Sequence, residues 1–498
     1  MKIFSSAQIR KWDAYTIPEQ QIPAEVLMER AANACYHWLI NNQLTRQPIR
    51  IFCGKGNNGG DGLALARMLL ENNIPVTTYI LESGKTGTND FQTNLQRLHH
   101  ITTDIHFIQS ENFFPLIEKN DLVIDALFGS GLNKPLAGTA RQLVEHINNS
   151  KALIIAIDLP SGLYSDKSSQ GLVVINATHT LSFQHAKLAF MFAENDPFVG
   201  EFHLLDIGLS KQFEEAEITV HEITDLSIIK SIIRPRNKFS HKGSFGHATI
   251  IAGSYGMMGA AVLSARACMY SGAGKLTSYI PSCGYDIMQI SLPEAMCKIS
   301  GDQNIATIED LNHYTAIGIG PGIGIEKETA LALKNILSSY TNPIVLDADA
   351  LNMLAADKAL LSLLPKGSVI TPHPKEFERM FGIAANDFER LELAIQKAAT
   401  FGIYIVLKGH YTAIITPLGK VYFNSTGNAG MAKAGMGDVL TGIITGLVAQ
   451  QYTLPEALLL AVYIHGSAGD MAAGKYSQQC MQASDLLGFI ADAWKSLT

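Results

Sequence analysis

The sequence predicts an α/β protein of two domains, each built on a doubly wound, largely parallel sheet. Three observations lead there. The chain has 498 residues, more than one ordinary hydrophobic core organises. Both halves alternate short apolar runs with helical segments, as parallel sheets covered on both faces do. In both halves the apolar runs end in glycine, aspartate and other polar residues, at the strand ends where open α/β sheets bind ligands.

Ser5 and Gln8 have capping-box spacing ahead of a first helix. Pro23 opens a second, with Val26, Leu27, Ala31, Ala34, Cys35 and Trp38 along one face. From Ile49 the period shortens: IRIFCG, VTTYIL, DIHFI, LVIDALFG and ALIIAID read as buried strands. Helical segments near Leu63–Leu70, Asp90–Leu98 and Thr139–Ile147 separate several of them. After the first strand comes the loop-like GKGNNGGDG, Gly54 to Gly62. Its Gly54-x-Gly56-x-x-Gly59 spacing invites a dinucleotide-binding reading, with Glu82 as the ribose acid, but a lone match is weak. Asp61 at the helix start would also repel a pyrophosphate seated there. Asn57, Asn58 and Asp61 read instead as a polar set facing a ligand or a hard cation. Asp125 closes its strand and leads into Gly129-Ser130-Gly131-Leu132, and Asp158 leads into Pro160-Ser161-Gly162. Lys187 follows the strand-like THTLSFQ. One aspartate at a strand end is commonly a turn residue, whereas four polar sites on one sheet edge suggest a binding cleft.

Composition narrows the functional classes. Hydrophobic residues at 47% and charged residues at 17% suit packed globular domains. A net charge of -7 leaves no basic surplus for a nucleic-acid backbone. The six cysteines lack metal-ligand spacing and are read as reduced thiols. No secretory leader is read at the N-terminus, and no apolar run reaches bilayer length. The expectation is a cytoplasmic protein acting on small molecules, with no nucleic-acid or membrane partner.

The motifs GKGNNGGDG, VIDALFGSG, AIDLPSG and SFQHAK together resemble the NAD(P)H-hydrate epimerase family, from the start of the chain to about Gly208. The resemblance implies a Rossmann-like domain over 1–215. It implies a potassium ion held by Asn58, Asp125 and Ser161, and proton chemistry at Asp158 and Lys187. It places substrate along Asn57, Asn58, Gly59, Gly60, Asp61, Gly129, Ser130, Gly131, Leu132 and Asp158.

Leu209 to Ile233 is acidic, lacks strand-end motifs and reads as the connection. In the basic RPRNKFSHKGSFGH stretch, His241 and Lys242 are either phosphate contacts or solvated surface. ATIIAGS, KLTSYIP, TAIGIGPGIG, PIVLDADAL, SVITPHPKE and IYIVLKGHYT then repeat the strand-and-polar-turn pattern. Helices are expected at Glu328–Leu337, Lys375–Phe381 and Glu392–Thr400. Near the C-terminus, Gly427, Gly430, Gly435 and Gly437 precede Asp438 and an apolar helix. Such a loop and helix start form an anion hole, in which Asp438 is either a general base or an N-cap.

SHKGSFGH, AGSYGMMGAA, GIGPGIG, DADAL, TPHPKE, LKGHYT and GNAGMAKAGMGD, in this order, resemble the ribokinase-like superfamily and within it the NAD(P)H-hydrate dehydratase family. The resemblance implies a ribokinase-like domain over 226–498. Ala260, Gly322, His373 and Asp438 would meet the hydrated nucleotide. Lys408, Gly409, His410, Tyr411, Thr412 and Gly437 would meet ADP or ATP, with magnesium on its phosphates. Together the halves imply repair of hydrated NADH and NADPH by a protein that assembles as a homo-oligomer. Two rivals remain open: a kinase of the hydroxyethylthiazole or hydroxymethylpyrimidine type, and a first domain that only binds.

Overall fold

The structure is a computed structural model describing residues 1–309 and 311–497. It divides into two compact units: Lys2–Thr219 with Asn386–Phe388, and Met1 with Val220–Ala385 and Glu389–Thr498.

The first unit opens with helices α1 (Ser6–Glu19) and α2 (Ala24–Asn41), the former closed by the Ser5–Gln8 capping box. Seven parallel strands follow: β1 (Ile49–Cys53), β2 (Val76–Leu81), β3 (Ile105–Ile108), β4 (Leu122–Ala126), β5 (Leu153–Ile157), β6 (His179–Phe183) and β7 (Glu201–Leu205). They lie in the order β3-β2-β1-β4-β5-β6-β7. Successive residues of each strand point to opposite faces, so both faces need cover. Ile51, Cys53, Ile124 and Ile155 pack with Cys35 and Leu39 of α2 and with Leu63 and Leu65 of α3 (Asn57–Glu71). Phe52, Val123, Ile154 and Ala156 pack on the other face with Leu143, Val144 and Ile147 of α4 (Gly138–Asn149).

Asn57 to Gly62 is not a loop. Helix α3 begins at Asn57, so this stretch forms its first turns. Glycine is a poor helix former, but the tertiary contact decides here: a Cβ on Gly60 would fall 2.7 Å from the Met28 methyl. The segment assigned to the connection is also structured, with helix Lys211–Ala216 and strand β8 (His221–Thr224). β8 belongs to the second unit, where it pairs in parallel with β16 (Val421–Asn424). A four-residue strand carries too little periodicity to be read locally.

The second unit's other strands are β9 (His247–Ile251), β10 (Lys275–Ile280), β11 (Met296–Ile299), β12 (Ala316–Ile319), β13 (Val345–Leu346), β14 (Val369–Ile370), β15 (Tyr404–Leu407) and a short strand Ala413–Ile415 that lies between β15 and β16. The neighbours from β11 through β10, β9, β12, β13 and β14 to β15 are parallel. The Ala413–Ile415 strand is antiparallel to both of its neighbours. Helices α5 (Met258–Tyr270), α6 (Met436–Ala449), α7 (Leu454–Cys480) and α8 (Ala483–Leu497) contribute many buried apolar residues to the core here. Among the described residues no helix is long and apolar enough to cross a membrane.

Helix α6 crosses α5 at backbone distance. A Cβ on Gly442 would lie 2.1 Å from the Ser264 carbonyl oxygen and 2.8 Å from the Ala267 Cβ. Gly442→Ala is therefore expected to destabilise this unit by about 1–3 kcal/mol through overpacking. Denaturant unfolding checks this, and an unchanged midpoint would contradict so close a crossing.

Candidate active sites

In the first unit the polar strand ends converge. Asp125, near the end of β4, is fully buried. Its carboxylate accepts from the Ser161 hydroxyl at 2.6 Å, the Ser161 amide at 2.8 Å and the Leu127 amide at 3.1 Å. Burial pushes its carboxyl up to about 6, against the lowering effect of those hydrogen bonds. None of the three donors is cationic. Ser161 Oγ in turn accepts from the Phe128 amide at 2.8 Å and lies 3.2 Å from the Phe128 carbonyl oxygen. Asn58, in the first turn of α3, packs against Gly129, and its buried Nδ2 has no hydrogen-bond partner. A buried amide left unpaired costs free energy unless a ligand or water meets it.

Beside this cluster, Lys187 is fully buried. Its Nζ lies 2.9 Å from Asp158 Oδ1 and donates to Ser182 Oγ at 3.0 Å and to the Phe183 and His185 carbonyls at 3.2 Å. Asp158 sits just past β5 with φ 63, an uncommon conformation for a residue with a side chain. Its amide donates to Leu181 O at 2.8 Å, stitching the end of β5 to β6. Gln184 repeats the positive φ (61) after β6, so both partners of the ion pair leave the sheet through strained turns. Asp61, also in the first turns of α3, has a carboxyl held well above the usual range by burial and by the charges of Asp158, Asp13 and Asp90. Asp13 of α1 is raised to about 6 by burial and by Asp158, with Lys187 opposing. The sequence offered no sign of Asp13, a single acid on an N-terminal helix.

Other expected residues sit further out. Ser130, Gly131 and Leu132 form a turn closed by the Leu132 amide on Gly129 O at 3.1 Å, and Asn57 is exposed. Glu82 pairs with Lys55, so the ribose-acid reading loses its carboxylate.

In the second unit the centre is an ion pair under the start of α6. Lys408, at the end of β15, lies 2.9 Å from Asp347 Oδ1 and 3.9 Å from Glu376 Oε2. Asp347 also accepts from Thr441 Oγ1 at 2.8 Å. Burial opposes charge on Asp347, but Lys408 and hydrogen bonds from Lys408, Thr371 and Thr441 hold its carboxyl below the usual range. Gly437 closes the pair from above: a Cβ there would meet Lys408 Nζ at 3.3 Å and Asp347 Oδ2 at 3.4 Å. The cap of α6 is Gly435 at φ 89, which places Asp438 inside the first turn and not at the N-cap. Burial pushes the Asp438 carboxyl up to about 6, with Asp347 and Asp349 adding and Lys408 opposing. Ala348, between the two aspartates, has φ 49 and ψ -117, a backbone strain that turns the chain at this point.

Gly322 and Ala260 meet, since a Cβ on Gly322 would lie 3.0 Å from that of Ala260. His373 caps helix α9 (Pro374–Phe381): its Nδ1 accepts from the Lys375 and Glu376 amides, while Glu376 accepts from the His373 amide at 2.8 Å. Gly409, His410, Tyr411 and Thr412 form an accessible turn in which Thr412 Oγ1 donates to Gly409 O at 2.9 Å. His241 accepts from the Gly243 amide in a cap, and this structure brings neither it nor Lys242 to the Lys408 cluster. Asp347, Asp349 and Glu376 were legible only as parts of DADAL and TPHPKE. His465 was missed: from α7, half-buried, its Nε2 donates to Met436 O at 2.9 Å and steadies the start of α6.

Residues 24–189 match the family described as YjeF-related protein N-terminus, and residues 248–491 that described as NAD(P)H-hydrate dehydratase. The chain is 34% identical to the bifunctional NAD(P)H-hydrate repair enzyme Nnr of Moorella thermoacetica, over 100% of this chain and 97% of that one. It is 32% identical to the Escherichia coli protein of the same name, over 92% and 87%. Among solved structures, a ribokinase-like superfamily protein of Enterococcus faecalis is similar at TM-score 0.50 and 28% identity, over 57% of this chain and 98% of that one.

A carboxyl raised to about 6 binds a proton in the folded state over a range where the unfolded chain, near 3.8, has released it. Asp438 therefore costs stability progressively as pH rises from about 4 to about 6. Asp438→Asn is expected to raise the unfolding midpoint of the second unit at pH 7 by several degrees and to flatten that pH dependence. Thermal unfolding at pH 4 and pH 7 checks it; equal midpoints for variant and parent at pH 7 would refute it.

Proposed function

The chain belongs to the bifunctional NAD(P)H-hydrate repair enzyme family, and from that premise we propose how its two sites divide the work. The first unit interconverts the R and S epimers of hydrated NADH and NADPH; the second removes water from the S epimer at the expense of ADP or ATP. The observation that carries this assignment is the pair of unlike centres: a buried Asp158–Lys187 ion pair in one unit, and Asp438 above the Lys408–Asp347 pair in the other.

Epimerisation breaks and remakes a C–O bond beside the ring nitrogen. The departing hydroxyl must gain a proton and the returning water must lose one. Asp158 and Lys187, 2.9 Å apart, are suited to hold and return that proton. The Asn57–Asp61 turn and the Gly129–Leu132 turn line the approach of substrate. Asn58, Asp125, Ser161 and the Phe128 carbonyl offer a hard oxygen set, and the Asp125 carboxylate lacks a cationic partner among its hydrogen-bond donors. That set fits potassium, which would supply the missing positive charge and fix the Gly129 turn against Asn58.

In the dehydratase site, Asp438 accepts the proton of the ring hydroxyl as the hydroxyl oxygen bonds to the terminal phosphorus of the nucleotide. The bond from that phosphorus to the bridging oxygen breaks and releases the nucleotide shortened by one phosphate. Phosphate then leaves with that oxygen, and a proton leaves the neighbouring ring carbon to restore the double bond. The amides at the start of α6 and the Lys408 ammonium face the phosphoryl oxygens. Gly437 and the Gly409–Thr412 turn hold the nucleotide; Ala260, Gly322 and His373 hold the hydrated ring. Asp347, Asp349, Glu376 and Asp438 outnumber the one lysine among them. A polyphosphate would bring a divalent ion with it, and Asp349 and Glu376 would hold that magnesium, where it would neutralise phosphate charge.

The test follows the near-ultraviolet absorbance of reduced nicotinamide when the protein meets hydrated NADH with potassium, magnesium and ADP or ATP. Asp438→Asn is expected to lower the nucleotide-dependent rise at least a hundredfold. Below about pH 6 the wild-type rate should fall about tenfold per pH unit as Asp438 is protonated. Asp158→Asn should leave dehydration of the S epimer intact while the R epimer persists. A stable phosphorylated ring product would turn the assignment toward a kinase, and no rise with either nucleotide would overturn it.

A further inference from the structure

The first unit carries a second cluster of ligand-bearing side chains at the opposite ends of its strands. β6 and β7 pair in register, with His179 opposite Glu201. His203 lies two residues further along β7, hence on the same face. His179 Nδ1 is 3.2 Å from His203 Nε2 and 3.8 Å from Glu201 Oε2, and the three ligand atoms all lie within 4.8 Å of one another. Trp38 of α2 covers the pair, its ring 5.3 Å from that of His179 and 4.8 Å from that of His203.

We propose that His179, Glu201 and His203 form a binding site for a divalent transition-metal ion, zinc or nickel in type, distinct from the Asp158–Lys187 site. Two neutral imidazoles facing each other through ring nitrogens need a proton between them; a metal ion takes that place and uses both lone pairs. Metal–ligand bonds of about 2.0–2.2 Å in tetrahedral arrangement put the ligand atoms about 3.3–3.6 Å apart, close to the separations seen here. Glu201 is 71% exposed and free to swing the short remaining distance. Two imidazoles and one carboxylate select a borderline ion over magnesium or calcium, and the remaining coordination position opens to water. The ion clips the edge strand β7 to β6. The far end of β6 supplies Ser182 and Phe183 to Lys187, so occupancy stiffens the strand that holds that ammonium.

Nickel titration of the full-length protein tests this through Trp38, whose fluorescence a paramagnetic ion at this distance quenches. The expected result is a saturable quench at one ion per chain, reversed by excess zinc. It should be lost in Trp38→Phe and shifted at least tenfold to higher nickel in His203→Ala. Circular dichroism confirms that the variant is folded, and Glu201→Gln, altering an exposed side chain, carries the same comparison should it not be. A quench that does not saturate, or saturates at the same nickel concentration in both His203→Ala and Glu201→Gln, overturns the site.

Discussion

Each half of this protein is organised around a lysine, fully buried in the first and half-buried in the second, held by an aspartate at the carboxyl edge of a parallel sheet. Taking two charges out of water is costly, and the attraction between them repays it only when the remaining hydrogen-bonding capacity is met. The two pairs differ in how far they meet that condition. Lys187 is satisfied almost wholly by its own neighbourhood, through Ser182 and the carbonyls of residues 183 and 185. Lys408 is shared between Asp347 and Glu376, and Asp347 is steadied by Thr441 from a helix almost a hundred residues away in sequence. The first pair is a closed device suited to proton movement. The second lies directly beneath the first turn of α6, where Gly437 packs against it.

Backbone conformation serves these pairs. Asp158, Gln184 and Ala348 all adopt positive φ next to a charged centre. Such strain persists only where surrounding structure enforces it, here by the hydrogen bond from Asp158 to β6 and the packing of the Asp347–Asp349 turn. Glycine does complementary work in the second unit, where Gly435 allows the turn into α6 and Gly437 admits the Lys408–Asp347 pair to its first turn. The local acidity follows from this crowding. Asp13, Asp125 and Asp438 each sit near about 6 because burial outweighs the help their neighbours give the charged form.

Much of the architecture was legible because parallel strands buried on both faces read as continuous apolar runs: β1 to β5 of the first unit were found that way and β6 was read as strand-like, whereas the more exposed edge strand β7 was not read. The misreadings have physical causes. Asn57 to Gly62 looks like a loop because its glycines disfavour a helix, yet close packing against α2 requires small residues there. β8 is too short to show a period, and its pairing partner lies 200 residues onward in sequence. Asp438 was read either as a cap or as a base; the glycine before the helix takes the cap, leaving the carboxylate directed into the cluster.

By itself the sequence determined the fold class, the alternation that builds each sheet and the polar residues at the strand ends. These are local properties, set by apolar periodicity and by the few residue types that tolerate tight turns. The tertiary structure decided which of those polar residues meet. It brought Asp13 toward Asp158 and Lys187, set Asp347 and Glu376 around Lys408, and placed His465 behind the start of α6. Charge, burial and distance between groups far apart in the chain exist only once the sheets are assembled, and those quantities convert a row of strand-end residues into a site.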